Sequence, residues 1–169
     1  MSYTHLRTCA RCGTANRIPA AHLADTGRCG ACKAALPPEA SPISVDGAAF
    51  DDIIREARVP VFVDFWASWC GPCIQEAPSL NEFQKMLGKD GVVVLGISVD
   101  SKEALYQNFL KKYQLAFQTA RDPDEDISAR YGTYKFPESY IIDRNGRVVR
   151  KYLGLPDLSL IHISEPTRP

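Results

Sequence analysis

The sequence predicts an α/β sandwich, a mixed sheet with helices on both faces, preceded by a small cysteine-rich module. Three observations carry this. Strand-length apolar runs alternate with helical patterns from Ile43 onward and end in a hairpin; all six cysteines fall into three C-x2-C pairs; and three prolines between Leu36 and Pro42 separate the first two pairs from the rest. At 169 residues and 45% hydrophobic content the chain can hold one good core plus a small module. Formal charge is zero, which gives no case for a nucleic-acid partner.

The module comes first. Cys9-Ala10-Arg11-Cys12 and Cys29-Gly30-Ala31-Cys32 are separated by sixteen residues, inside the window for a four-cysteine zinc site. Each pair can form a knuckle offering two thiolates, and two knuckles complete a tetrahedron around one structural Zn2+. Residues 1–36 hold too little apolar side chain to fold unaided, so zinc would supply the folding free energy. Two further redox pairs are the alternative reading, weakened because neither pair opens an apolar-periodic helix. His5 and His22 are expected on the surface, since four thiolates already saturate zinc. Residues 1–42 carry Arg7, Arg11, Arg17, Arg28 and Lys33 against Asp25 and Glu39, read as a solvated face. Residues 37–42 read as a semi-rigid linker.

The main domain, 43–157, starts with a short strand at 43–45 and an Asp46 N-cap. Phe50, Ile53, Ile54 and Ala57 then recur at helical spacing. Val61 to Trp66 is a buried strand. The helix after it should bury Ala77, Leu80, Phe83 and Leu87 and kink at Pro78. A turn at 88–91, a strand over 92–98, a helix over 102–113 marked by Leu105, Phe109 and Tyr113, a strand near 117–120 and a short helix near 125–131 follow. Tyr140 to Asp143 and Val148 to Leu153 read as a hairpin across Arg144-Asn145-Gly146.

The chemistry centres on Phe65-Trp66-Ala67-Ser68-Trp69-Cys70-Gly71-Pro72-Cys73. The strand delivers Cys70 to a helix N-terminus, where free N–H groups and the dipole favour thiolate. An unperturbed thiol of pKa about 8.5 is only about 3% ionised at pH 7, whereas one near about 7 is half ionised. That drop needs roughly 2 kcal/mol and a helix terminus contributes about 0.3–1, so a hydrogen bond from the Cys73 thiol is expected to supply the rest. Cys70 would attack a disulfide and Cys73 resolve the mixed disulfide. A lone C-x2-C is equally half of a zinc site. The exposed Trp69, the intervening Gly71-Pro72, the buried strand and the lack of further ligands nearby favour redox chemistry.

This stretch resembles the thioredoxin active site, and the fold it implies is the thioredoxin-like sandwich. The preceding module, with Cys12-Gly-Thr-Ala-Asn-Arg-Ile-Pro19, resembles the N-terminal zinc ribbon of the two-domain bacterial thioredoxins. Gly96-Ile97-Ser98-Val99-Asp100 with the following helix, Glu76-Ala77-Pro78, and Phe136-Pro137-Glu138-Ser139-Tyr140-Ile141-Ile142-Asp143 are similar to the TlpA and ResA type of thiol-disulfide oxidoreductases. The resemblances imply a protein-disulfide reductase with catalytic Cys70, Cys73, Asp64 and Glu76. Asp64 would be the buried proton acceptor for Cys73, against a plain reading as a solvent-facing strand residue. The lysine that usually accompanies it is replaced near Gly96. Glu76 matches a glutamate that tunes the cysteines, with an exposed helix carboxylate as the equal alternative. Trp69, Gly71, Pro72, Phe136, a cis Pro137 and Gly154 would bind substrate. Gly-Pro between the cysteines resembles the reducing members, with potentials near about −270 mV against about −120 mV for strong oxidants.

Zn2+ is then the sole cofactor expected, with no organic group bound; disulfide-containing client proteins are the partners, recharged by an NADPH-dependent thioredoxin reductase. Neither nucleic acid nor membrane is expected. Met1 to Arg11 lacks the apolar centre of a signal peptide and no apolar run is long enough to span a bilayer, so the expected compartment is the cytoplasm, unlike the export usual for the TlpA and ResA type. The alternatives are a zinc-ribbon redox-regulated holdase or adaptor, and a peroxidase of the same fold. Leu158 to Arg168 matches the translation of a transposase sequencing adapter. Residues 158–169 are therefore expected to be foreign, His162 to have no function, and a terminal helix to be missing, leaving Val148 and Tyr152 partly exposed.

Overall fold

The computed structural model describes residues 3–23, 25–37, 46–87 and 92–154. The linker beyond residue 37, the strand expected at 43–45, the turn at 88–91 and the tail from 155, with the expectations made for it, lie outside the described residues.

The N-terminal module is two small hairpins. Strand β1 (Thr4–Thr8) pairs with β2 (Ala15–Pro19), and β3 (Gly27–Arg28) with β4 (Ala35–Leu36). The tip of each hairpin is a cysteine knuckle built alike. Gly13 N–H donates to Cys9 O and Lys33 N–H to Cys29 O, while Cys9 and Cys29 N–H donate to Thr14 O and Ala34 O. Arg7, counted among the solvated charges by its type, is instead 3% exposed. Its guanidinium donates to the carbonyls of Leu23, Asp25 and Leu36 at 3.0, 3.0 and 3.1 Å, tying the second hairpin to the first. A cation reaching three carbonyls at a strand end and in the connecting loop replaces their water, a satisfaction that no local pattern announces.

The main domain is a five-stranded sheet in the order β7-β6-β5-β8-β9. Strands β5 (Val61–Trp66), β6 (Val93–Ser98) and β7 (Gln118–Arg121) run parallel, and β8 (Glu138–Ile142) and β9 (Val148–Leu153) close the sheet antiparallel. Alternation along β5 divides the core. Val61, Val63 and Phe65 face helix α1 (Gly47–Glu56) and the short α4 (Asp126–Arg130), whereas Phe62 and Trp66 face α2 (Gly71–Leu87) and α3 (Glu103–Tyr113). Asp46 Oδ1 accepts from Ala49 N–H at 2.8 Å, the expected N-cap of α1. Helix α2 runs continuously through Pro78.

In one helix the buried stripe differs from the expected one at a single position. In α3 the buried stripe is Tyr106 and Phe109, with Leu110 and Tyr113 beside them, and Leu105 is 43% exposed. Positions 105 and 106 differ by about 100° around the axis, and both fit a helical stripe with Phe109. Trp66 breaks the tie by stacking on Phe109 and Tyr106 at 4.4 and 6.0 Å. The Tyr106 hydroxyl, which needs a partner when buried, pairs with Thr119 Oγ1 at 2.6 Å.

The module is docked on the main domain. Ala20 and Leu23 are 2% exposed and share a core with Phe50 and Ile53 of α1. At the far edge of the sheet Val148, Val149 and Leu153 are 49%, 58% and 62% exposed, while Tyr152 is half-buried.

Candidate functional site: a dithiol beside two buried carboxylates

Strand β5 ends at Trp66, and Cys70 N–H donates to Ala67 O at 3.1 Å to close a turn whose last residue opens α2. Cys70 O accepts from Ile74 N–H at 3.1 Å, so Cys70 stands at the N-cap position. It is disulfide-bonded to Cys73. Cys73 N–H points at Cys70 Sγ from 3.2 Å. In this oxidised state the donor facing Cys70 Sγ is thus the Cys73 amide and not a thiol, and helical geometry alone provides it. Both sulfur residues are nearly buried, Cys70 5% and Cys73 3% exposed, whereas Trp69 is 68% exposed and meets Phe136 edge to face at 6.0 Å. Gly71 and Pro72 are exposed. The Phe136–Pro137 bond is cis, and Pro137 O accepts from Gly154 N–H at 2.9 Å, which brings the two distant substrate-binding candidates together. Gly154 has φ 76°, a conformation that favours glycine.

Asp64 shares the α2 face of β5 with Phe62 and Trp66 and is 1% exposed, so the solvent-facing alternative is removed. Burial pushes its carboxyl up to about 7, although Ser139 Oγ, donating to Oδ1 at 2.8 Å, pulls the other way. Glu76 is also buried, at 3%, and the exposed-carboxylate alternative goes with it. Neither of its oxygens has a hydrogen-bond partner. Burial first and the charge of Asp64 second push it up to about 9. Glu76 thus keeps its proton at neutral pH while Asp64 gains and loses one, which suits Asp64 to proton exchange with a thiol.

The folded chain holds the Asp64 proton to higher pH than the unfolded chain does, so this group costs stability as pH rises from about 4 to about 7. Asp64→Asn should accordingly raise stability by about 2–4 kcal/mol at pH 8 and leave it unchanged near pH 3. Urea unfolding at the two pH values reads this; an equal shift at both would contradict it.

The position paired with Asp64 across the parallel ladder is Gly96. A Cβ there would lie 2.7 Å from Phe117 Cε2 and 2.9 Å from Trp66 Nε1. The two rings occupy the space a lysine would need, and Glu76 stands as the second ionisable group instead. Gly96→Ala is expected to cost about 1–3 kcal/mol by overpacking, read by urea unfolding.

Glu138 escaped sequence reading. It follows Pro137 in β8 with 0% exposure, on the sheet face opposite Asp64, where Lys151 Nζ at 3.0 Å and the Tyr140 hydroxyl at 3.0 Å meet Oε2. Its partners lie on β8 and β9, and the cross-strand register that makes them neighbours was the missing signal.

In the module, Cys9, Cys12, Cys29 and Cys32 bring their sulfurs within 4.8 Å of one another, with Cys9–Cys32 and Cys12–Cys29 both at 3.7 Å. A tetrahedron with Zn–S of about 2.3 Å has sulfur–sulfur edges of about 3.8 Å, so the cluster fits zinc. The Cys32 amide pulls the Cys29 thiol down to about 6. Cys32 goes up to about 12, because the Ala34 amide that favours its thiolate is outweighed by Cys12, burial and Cys9. Four thiols this close cannot all ionise without a cation among them. His22 is exposed and pairs with Asp25 Oδ2 at 2.6 Å, away from the cluster's chemistry.

Residues 47–151 match the model of the AhpC/TSA family. The chain belongs to the AhpC/TSA family. Residues 8–34 match a second model, the N-terminal region of thioredoxin 2, described as a zinc ribbon. This match and the sulfur geometry both point to a zinc site in the module. The AhpC/TSA domain is 37% identical over 94 residues to the thiol-disulfide oxidoreductase ResA of Bacillus cereus, covering 56% of this chain and 54% of that protein. It is 30% identical over 102 residues to ResA of Bacillus subtilis, covering 60% and 57%. The chain thus spans about half the length of the curated relatives it matches. Among solved structures, one described as a thiol:disulfide interchange protein DsbE from Chlorobium tepidum superposes with TM-score 0.60 at 29% identity, over 80% of this chain and 89% of that one. StoA from Bacillus subtilis, at 23% identity and TM-score 0.56 over 60% and 78%, shares the fold. No helix among the described residues is long and apolar enough to cross a membrane.

Proposed function

We propose that this chain is a protein-disulfide reductase working through the Cys70/Cys73 dithiol. The single observation that carries the reading is the Cys70–Cys73 disulfide at the start of α2, beside exposed Trp69 and the Phe136 ring it meets. In the reduced protein the Cys70 thiolate, favoured by the helix N-terminus and the Cys73 amide, attacks one sulfur of a client disulfide. The client S–S bond breaks, one client sulfur leaves as thiolate and takes a proton, and Cys70 is joined to the client. Cys73 then gives its proton to the ionised Asp64, attacks Cys70 Sγ and expels the second client thiolate, which is protonated in turn. Two electrons have passed to the client, and the protein is left as the Cys70–Cys73 disulfide.

Burial poises the Asp64 base near neutral pH, and Asp64 once ionised helps to keep Glu76 protonated beside it. Trp69 and Phe136 offer an aromatic ledge, and Gly71, Pro72 and the 136–137 and 154 backbone form its rim, suited to an extended segment of client chain. One structural Zn2+ on Cys9, Cys12, Cys29 and Cys32 holds the ribbon and takes no part in electron transfer. Each turnover leaves the Cys70–Cys73 disulfide, so electrons must return from an external dithiol, and an NADPH-dependent thioredoxin reductase supplies that chemistry. Two C-x2-C pairs holding a metal rather than forming disulfides, beside a reducing dithiol, suit a reducing compartment, the cytoplasm.

Insulin reduction by dithiothreitol tests the reading. The wild-type chain should accelerate precipitation of the insulin B chain, and Cys70→Ser should abolish the acceleration. Acceleration that survives this substitution would sink the assignment.

A further inference from the structure

The turn that carries the dithiol is held from outside its own helix by a carboxylate that the chemistry above does not use. Ser68, at the tip of the 67–70 turn, presents both of its donors to Asp100. Its amide reaches Oδ2 at 3.1 Å and Oδ1 at 3.3 Å, and its hydroxyl reaches Oδ1 at 2.7 Å. From the other side Ser98 Oγ donates to Oδ2 at 2.8 Å and accepts from Asp100 N–H at 3.1 Å. Asp100 is 1% and Ser98 0% exposed.

The surroundings of Asp100 are fixed as well. Val99 N–H donates to Trp66 O at 2.9 Å and Asp122 N–H to Ser98 O at 2.7 Å. Arg121 donates to Ser101 O at 3.0 Å and pairs with Glu103 at 2.9 Å. The carboxyl ends of β5, β6 and β7 are thereby tied around one acceptor. Burying a carboxylate is expensive unless donors surround it, and hydrogen bonds to a charged acceptor are about twice as strong as neutral ones. Two of the three side-chain and backbone groups that donate to this carboxylate belong to Ser68. The buried charge is thus committed to the one turn that bears Trp69 and Cys70.

We propose that Asp100 is a positioning residue for the dithiol: through Ser68 it holds the 67–70 turn in the shape that keeps Cys70 at the N-terminus of α2 and Trp69 against Phe136. The proposal rests on the thiol-disulfide reading of the site. Asp100 itself touches neither sulfur nor client. A loosened turn would carry Cys70 away from the Cys73 amide and free the Trp69 ring. Both the nucleophile and the client ledge would suffer, whereas the fold would survive on its two cores.

Asp100→Asn keeps the shape but sets an amide donor where only donors converge. With the full-length, zinc-loaded, reduced chain at 25 °C, well below its unfolding midpoint, two rates are read. One is alkylation of Cys70 by iodoacetamide, assigned by mass spectrometry; the other is insulin reduction, resolved into kcat and KM. Alkylation should slow at least fivefold, kcat should fall and KM should rise at least threefold. Ser68→Ala, which keeps its amide bond, should show a smaller loss of the same kind, and Ser68→Thr should restore wild-type rates. Asp122→Asn is the control. Asp122 accepts from Ile127 and Ser128 N–H at 3.1 and 2.8 Å at the start of α4, so its loss weakens a buried carboxylate network without touching the turn. It should lower the unfolding midpoint and leave alkylation unchanged.

If Asp100→Asn lowers the midpoint as Asp122→Asn does yet alkylates and turns over like wild type, the proposal is overturned. Should Asp100→Asn not fold, Ser68→Ala decides alone, and wild-type rates for it overturn the proposal equally. A wild-type chain that alkylates at Cys70 but does not reduce insulin would refute the function reading, while the alkylation arm still decides the role of Asp100.

Discussion

Cys73→Ser should stop turnover completely and accumulate covalent complexes with client proteins. Cys70 can still attack, because its thiolate is stabilised by the α2 N-terminus and by the residue-73 amide, neither of which depends on the Cys73 sulfur. What is lost is the second attack. The serine hydroxyl is far too weak an acid for Asp64, poised at about 7, to deprotonate usefully. The expected readout is a ladder of higher-mass bands on non-reducing gels that collapses with dithiothreitol, together with loss of insulin reduction below one-thousandth of wild type. Cys70→Ser should give no ladder. If Cys73→Ser turned over at wild-type rate, or if the ladder formed equally in Cys70→Ser, the assignment of nucleophile and resolving thiol would be wrong. An adaptor or holdase that only docks clients would be indifferent to both substitutions.

Removing zinc should unfold the ribbon and weaken the whole chain. Structural zinc in small cysteine sites contributes about 10–16 kcal/mol of apparent binding free energy, far more than two short hairpins can supply without it. The loss would not stay local. Ala20 and Leu23 pack into the same core as Phe50 and Ile53, so an unfolded ribbon uncovers one side of α1. Burial of two such side chains is worth about 2–4 kcal/mol, enough to lower the unfolding midpoint of the main domain by roughly 5–15 °C. Circular dichroism with and without a strong chelator measures this, and Cys29→Ser should reproduce it. Metal analysis should find about one zinc per chain, retained in Cys70→Ser/Cys73→Ser. An unchanged midpoint after full zinc removal would show that the docking contributes nothing.

Much of this architecture was legible in the chain itself. The continuous apolar run at β5, the Asp46 cap, the hairpin around Gly146 and the paired cysteine spacings are local patterns, and local patterns answer to backbone periodicity and ligand geometry that a few residues determine. Candidate sulfurs and Trp69 followed from the same stretch, and Asp64 from its resemblance to the thioredoxin active site. The rest depended on groups far apart in sequence meeting in space. Tyr106 replaced Leu105 in the core because Trp66 stacks there. Arg7 went inside because three carbonyls 16 to 29 residues away needed donors. Glu76 could be exposed or buried by pattern alone, and only the packing of α2 on the Asp64 face of the sheet removed it from water. Asp100 and Ser68 are 32 residues apart and meet because β5 and β6 pair in parallel register. Sequence by itself determined the elements, the clustering of four cysteines and the pairing of Cys70 with Cys73, since each rests on spacing along one segment. Tertiary structure alone decided the state of the ionisable groups, because desolvation and hydrogen-bond donors come from whichever strands and helices pack around them.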